Sequence, residues 1–431
     1  MAKSSGPKSW ARRWFAPSWM SSDIGRVLIA HSLMSATQAM AAILVPLDLA
    51  KLGFHGIFIG LLFTATASVS AILTATIGFL SDRWGRRLFL VLMPVFTALA
   101  CLIFALSSWG SLLFVSAALG ALGRGTGAGA GTVGPYQPAE QAYLTARVAS
   151  DHRNSLFGRL GFATSLGALL GGGPFIFLTV GLFPKSPTYA LAFLVAGGCA
   201  FLAGILAWGI AKDRKLPVQK PKIRPGETVA PLGKGQIRKL LWQLAVTNSL
   251  NGFAVGFFGP FITYWFYRRF GVSAVEIGLL YMLINVVSMV SNFFTARVAL
   301  RWGVVRSIVV TRVTQGLLII PMVLAPFFWA AGIVYALRMM VQRLGLPLRQ
   351  SYVMGIVPDS QRGKVSSLSN LPSQVTSAIS PSIAGPMLEN VSLSLPFELG
   401  ALIQSLGAIL FGIFFRTTRP PEELPDKTTP G

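Results

Sequence analysis

Gly78-Phe-Leu-Ser-Asp82-Arg83-Trp-Gly85-Arg86-Arg87 stands between two long apolar runs. Asp82, Arg83, Arg86 and Arg87 crowd their charges into a turn short enough to be only a hairpin. Charges are costly in hydrocarbon, so this turn is held on one side of a bilayer. Gly78 and Gly85 fall where two helices leaving so tight a hairpin must approach closely.

The same alternation of apolar run and polar turn continues along the 431-residue chain. Only 12% of residues are charged, about half the share of an ordinary soluble protein, and the mean hydropathy is +0.63. Runs of about 20 apolar residues, enough to cross a bilayer as a helix, fall near 25–47, 56–80, 88–107, 110–134, 156–183, 187–211, 240–266, 275–299, 305–327, 329–348, 366–387 and 394–415. They are continuous rather than alternating, and hydrocarbon offers backbone groups no water, so helices are expected rather than a barrel. The fold class expected is an all-α polytopic membrane protein with 12 transmembrane helices.

A net charge of +23 would suit a nucleic-acid partner, but its distribution argues otherwise. With the N-terminus inside, only Lys51, Lys185, Arg268 and Arg269 fall outside, and Arg124, Arg312 and Arg338 fall within spans. All other Lys and Arg lie on the cytoplasmic side, as the positive-inside rule requires. The expectation is a multi-pass protein of the cell (inner or plasma) membrane with both termini cytoplasmic, partnered by the lipid bilayer and not by nucleic acid. Residues 1–24, with Lys3, Lys8, Arg12, Arg13 and three tryptophans, read as a cytoplasmic basic arm, either interfacial or unstructured. Cys101 and Cys199 fall inside spans and read as small buried hydrophobes.

The chain divides at the Lys- and Pro-rich stretch 212–239, expected as a cytoplasmic linker. This leaves an N-terminal six-helix bundle (25–211), a C-terminal six-helix bundle (240–415) and a cytoplasmic tail (416–431). The halves repeat. A shift of 218 lays Gly53 on Gly271, Gly60-Leu-Leu on Gly278-Leu-Leu and Arg83-Trp-Gly85 on Arg301-Trp-Gly303. A shift of 209 lays Pro138-Ala-Glu140-Gln141-Ala-Tyr143 on Pro347-Leu-Arg349-Gln350-Ser-Tyr352. Duplicated bundles related about the membrane normal enclose a site between them near the midplane.

The pattern G-x-x-x-D-R-x-G-R-R resembles the loop between helices 2 and 3 of the major facilitator superfamily of secondary transporters, and the likeness covers about residues 25–415. The resemblance implies two pseudo-symmetric six-helix bundles that admit a solute from alternate sides. It implies a cytoplasmic gate at Gly78, Asp82, Arg83, Gly85, Arg86 and Arg87, coupling helix 2 to helix 11. The second copy, Ala296 to Gly303, has Leu300 where the first has its aspartate. Arg124-Gly-Thr-Gly-Ala-Gly-Ala-Gly131 is similar to the family's membrane-embedded arginine motif. Gly171-Gly-Gly173-Pro174 matches only part of the exporter signature, and the sugar-porter signature is missing after span 6, where the chain reads Lys212-Asp-Arg-Lys.

Ionisable groups within spans are functional candidates by default. Arg124 lies about 22 Å along its helix from Trp109, and Arg338 about 13 Å from Trp329. Two deep guanidinium groups suit an anionic group, with snorkelling or carbonyl pairing as the plainer reading. Gln38, His31, Asn248, Asn251 and Gln342 complete the expected substrate cavity; His31, Ser35 and Gln38 share one helix face. Such polar stripes serve equally as interhelical hydrogen bonds. Asp48 and Glu140 are the proton-coupling candidates, because a coupling carboxylate must be buried and exposed in turn. Glu140 is also expected to pair with its repeat-mate Arg349 at the cytoplasmic gate in the outward-open state.

No nucleotide loop, zinc signature or catalytic triad is present in the sequence, and His31, His55 and His152 are scattered. The chain is therefore expected to be no enzyme, with no catalytic residues, metal or cofactor, and to draw on a proton gradient. The expected activity is secondary active transport of a small anionic or amphipathic solute, by symport or antiport, by a monomer. The rival readings are an uncoupled facilitator of the same fold and, less favoured, a membrane sensor or polytopic enzyme.

Overall fold

The computed structural model describes residues 20–122, 134–148, 153–182, 189–211, 234–291, 304–355 and 362–415. These residues are helical throughout, joined by short turns. The first half comprises α1 (Ser22–Lys51), α2 (Gly56–Trp84), α3 (Arg86–Leu106), α4 (Gly110–Gly120), α5 (Tyr136–Arg147), α6 (Arg153–Leu170) and α7 (Ala190–Trp208). The second comprises α8 (Lys234–Phe258), α9 (Ile262–Phe270), α10 (Ala274–Ser291), α11 (Val304–Leu317), α12 (Ile319–Leu324), α13 (Phe328–Gly355), α14 (Arg362–Asn390) and α15 (Leu395–Phe415). They fall in order on the twelve expected spans, and seven described helices are each long and apolar enough to cross a membrane.

Local chemistry explains where the elements differ from simple spans. Ser21 caps α1 by accepting the Ile24 N–H, so the helix begins inside the stretch expected as basic arm. Helix α8 likewise begins at Lys234, inside the stretch expected as linker. Span 4 breaks after Gly120, where Ala121 is left-handed at φ +51°, and resumes as α5; residues 123–133, including Arg124, lie outside the described residues. Span 7 breaks between α8 and α9 at Gly259-Pro260, because proline cannot donate within a helix. Beyond α6, Gly171–Phe175 and Phe177–Gly181 are wound as π-helix. Pro174 removes one backbone donor there, and wide π turns take up such a defect.

The duplication is visible in the backbone. Gly53 and Gly271, laid on each other by the repeat, both turn with positive φ, at +85° and +67°. Gly60 and Gly278 are likewise equivalent, and each meets the opposite half. A Cβ on Gly60 would lie 2.5 Å from the Pro381 carbonyl of α14, and one on Gly278 would lie 2.5 Å from the Gly172 carbonyl. The halves thus touch along α2–α14 and along α10 with α6 and its π segment.

We call the Lys51 end of α1 distal and the Ser22 end proximal. A single apolar cluster joins both halves distally, from Met40, Phe63 and Phe193 to Phe261, Trp265, Tyr281 and Phe397. Among the described residues the core divides proximally. One cluster, with Ile24, Tyr136, Tyr143 and Leu160, belongs to the first half alone, and another, Leu244, Ile308, Phe411 and Phe415, to the second. The molecule is sealed at one end. The outer walls expose Leu99, Phe201 and Ile205 in the first half and Leu402 and Ile413 in the second, apolar surface that suits lipid.

Candidate functional site

The polar face of α1 is built into the first half. His31 is 3% exposed and Glu140 of α5 is fully buried. Nδ1 of His31 lies 2.9 and 2.8 Å from the two carboxylate oxygens of Glu140. Its Nε2 lies 2.7 Å from Oγ1 of Thr164 on α6. Ser35, one turn along α1, donates to the Thr164 carbonyl at 2.7 Å, which sets Thr164 against the imidazole. Three helices therefore meet on one acid–base pair. Either a carboxylate with an imidazolium or a carboxyl with an imidazole satisfies this geometry, so the pair can hold one proton without breaking a hydrogen bond. Tyr136, one turn before Glu140, is fully buried, and its hydroxyl has no hydrogen-bond partner among the described residues.

The second half buries a different group. Arg338 of α13 is 3% exposed. Its guanidinium stands 4.2 Å over the Phe258 ring and donates to Oε1 of Gln404 at 3.4 Å. Gln404 in turn donates to Gln315 at 2.9 Å. Among the described residues the Nε of Arg338 has no partner, and no carboxylate pairs with it. These neighbours all belong to the second half, so the guanidinium is set into that bundle rather than between bundles.

The remaining candidates separate by place. Gln38 and Asn248 are buried, and Asn251 and Gln342 are half-buried. Asp48 is buried in the last turn of α1, where it accepts the Tyr189 backbone N–H. One turn on, Lys51 stacks its ammonium 3.9 Å over the Tyr189 ring. In the quoted turn Arg83 is exposed. Arg86 donates to the Ala142 carbonyl at 2.7 Å, and Arg87 donates to the Trp208 carbonyl. They thus tie the turn to the middle of α5 and the end of α7. Gly85 supplies φ +94° between α2 and α3. The side chains of Asp82 on α2 and Arg349 on α13 lie outside the described residues, as does Gly78 beyond its helical backbone. In this distally sealed arrangement Glu140 is engaged by His31, where the sequence suggested Arg349 for the opposite state. Thr164 and Tyr136 escaped the sequence reading. A lone threonine or tyrosine in an apolar run carries no signal of its own.

A cleft of about 330 Å³ with Leu317, Ile320, Leu324, Glu398 and Leu402 in its lining is walled by the second half alone. Its exposed leucines set it on the outer wall.

Comparison with known proteins bears on the whole chain. The family model for the Major Facilitator Superfamily matches residues 27–342 and 244–430. A multidrug resistance protein, MdtG of Enterobacter lignolyticus, is 23% identical over 97% of this chain and 96% of its own. MdtG of Salmonella paratyphi C is 26% identical over 67% and 70%. A bacterial homolog of the human lysosomal transporter Spinster, inward-facing and occupied, superposes with a TM-score of 0.68 at 14% identity, over 96% of this chain and 98% of that one. An auto-inhibited POT family peptide transporter gives 0.68 at 15%, over 95% and 99%. The duplicated bundles, the charged turn at 78–87 and these matches agree: the chain belongs to the Major Facilitator Superfamily and is a multi-pass membrane transporter, not an enzyme.

Proposed function

We propose that this chain is a proton-coupled secondary transporter of a small amphipathic or anionic solute, and that His31 and Glu140 carry the coupling proton. The observation that carries the proposal is the buried pair itself. A carboxylate and an imidazole 2.8 Å apart inside a membrane bundle are expensive to keep, and their geometry accommodates either protonation state. The pair links α1, α5 and α6, so a change in its charge acts on three helices of one half at once.

The positive-inside distribution supports a cytoplasmic proximal end and an extracytoplasmic distal end. The distal seal and the divided proximal core then correspond to the inward-facing member of an alternating-access cycle. The relatives named as multidrug resistance proteins favour an amphipathic solute. Gln38, Asn248 and Asn251 are proposed to contribute polar contacts in the cavity, and Arg124 the charge that selects an anionic group. Arg338, enclosed by its own half, acts there as a fixed positive potential. Arg86 and Arg87 hold the gate turn, and Asp82 is its coupling carboxylate to the second half.

The test is flux in proteoliposomes, with a panel of organic anions and lipophilic drug-like solutes, with and without an imposed pH gradient. Gradient-dependent flux that becomes gradient-independent in Glu140→Gln is the expected result. Wild-type flux indifferent to the gradient would leave an uncoupled facilitator and overturn the coupling.

A further inference from the structure

We propose that Glu389 latches the extracytoplasmic gate by capping a helix of the opposite half, and that Tyr264 and Arg268 position it. The proposal rests on the alternating-access reading above. Glu389 is the penultimate residue of α14 in the second half. Its Oε1 accepts the backbone N–H of Gly56 at 2.8 Å, and Gly56 is the first residue of α2 in the first half. The first backbone N–H groups of a helix have no partner within it and carry its positive end. The N-cap of α2 is His55, whose side chain makes no capping bond. The carboxylate therefore does from across the interface what a local Ser or Asp does elsewhere.

The carboxylate is held in place from its own side. Tyr264 of α9 donates its hydroxyl to the same Oε1 at 2.7 Å. Arg268, one turn further along α9, donates to that hydroxyl at 3.3 Å and lies 5.7 Å over the ring. Both residues belong to the second half. When the halves part, this network loses only its Gly56–Glu389 bond, and the Arg268–Tyr264–Glu389 chain stays assembled to receive the amide again. The backbone fits the same role. A Cβ on Gly56 would stand 3.0 Å from Cγ of Glu389 and 3.1 Å from the Gly385 carbonyl. Glycine there lets the start of α2 reach the carboxylate. One turn on, Gly60 lies against Pro381 and Gly385, so the bond sits at the distal edge of a backbone-to-backbone seam.

The latch adds a charge-assisted bond to the sealed state and none to the open one. Its loss should shift the closed-to-open ratio of the distal end by about tenfold toward open, the scale of one such bond. The readout is the distance between spin labels at Trp109→Cys and Leu324→Cys, both exposed at the distal end in opposite halves, with Cys101 and Cys199 replaced by alanine. In otherwise wild-type protein the short-distance population should dominate and give way to a longer one on solute addition. Glu389→Ala should enlarge the long-distance population without solute. Glu389→Gln, which keeps an acceptor, and Tyr264→Phe, which frees the carboxylate, should do so by about threefold. Wild-type labels that move while Glu389→Ala leaves the ratio unchanged would overturn the latch, including when that variant melts earlier, since Glu389 would then be structural only. Wild-type labels that never move would instead overturn alternating access, and the latch with it.

Discussion

The two halves share a backbone plan and differ in what they bury. In the first, His31 and Glu140 place an acid and a base in contact at the junction of α1, α5 and α6. In the second, Arg338 lies among Phe258, Gln404 and Gln315. None of those four can change charge at physiological pH. Duplication supplied two bundles of the same shape, and divergence gave one a titratable pair and the other a permanent cation. Under the proposed coupling, a proton would act on one half while the other presents an unvarying potential.

The sharpest way to break this comparison is to remove one member of the titratable pair. Glu140→Ala should destabilise the protein by about 3–5 kcal/mol, because it strands a buried partner, and thermal unfolding in detergent would measure it. The loss should be much smaller in Glu140→Gln, which keeps the shape. The matching change in the second half should go the other way. Arg338→Met removes a buried cation that lacks a counter-ion among the described residues, and stability should stay level or rise, by up to about 4 kcal/mol. A large loss instead would mean that Arg338 is as tightly paired as Glu140, and the contrast between the halves would fail.

Where the halves are alike, equal changes should have equal effects. Gly60→Ala and Gly278→Ala each drive a Cβ to 2.5 Å of a carbonyl in the opposite half, and backbone cannot yield as a flexible side chain does. Each should disfavour the sealed distal end by about 1–3 kcal/mol, read as faster alkylation of a cysteine placed at buried Phe261. The mildest change is Thr164→Val, which removes the hydroxyl 2.7 Å from His31 Nε2. It should cost about 1 kcal/mol in thermal unfolding and leave the gradient response of flux in place, since the His31–Glu140 contact remains.

Much of the architecture was legible before any coordinates. Hydropathy placed the spans, and the repeat paired Gly53 with Gly271, which both take positive φ in the structure. The hidden parts are those fixed by contacts far apart in the chain. His31 and Glu140 each stood out as polar groups in apolar runs. Yet 109 residues separate them, and the repeat pointed Glu140 toward Arg349. The depth of Arg338 could be counted along its helix, but the helix face it occupies among α8 and α15 could not. Glu389 reads as an ordinary charge at a helix end, because the amide it caps lies 333 residues away. The π turns after α6 were announced only as a proline among glycines, which predicts a bend and not its winding.

The distal plug has an electrical meaning. Phe63 of the first half meets Phe261 of the second edge to face, with ring centroids 6.1 Å apart, inside an apolar cluster that continues through Trp265 and Phe397. Hydrocarbon of this kind holds no chain of water, so it insulates. On the proposed reading, a proton reaching Glu140 from the proximal side would meet this dry layer beyond it. Under the proposed coupling, such a layer would let a loaded carrier stand without leaking protons across the membrane.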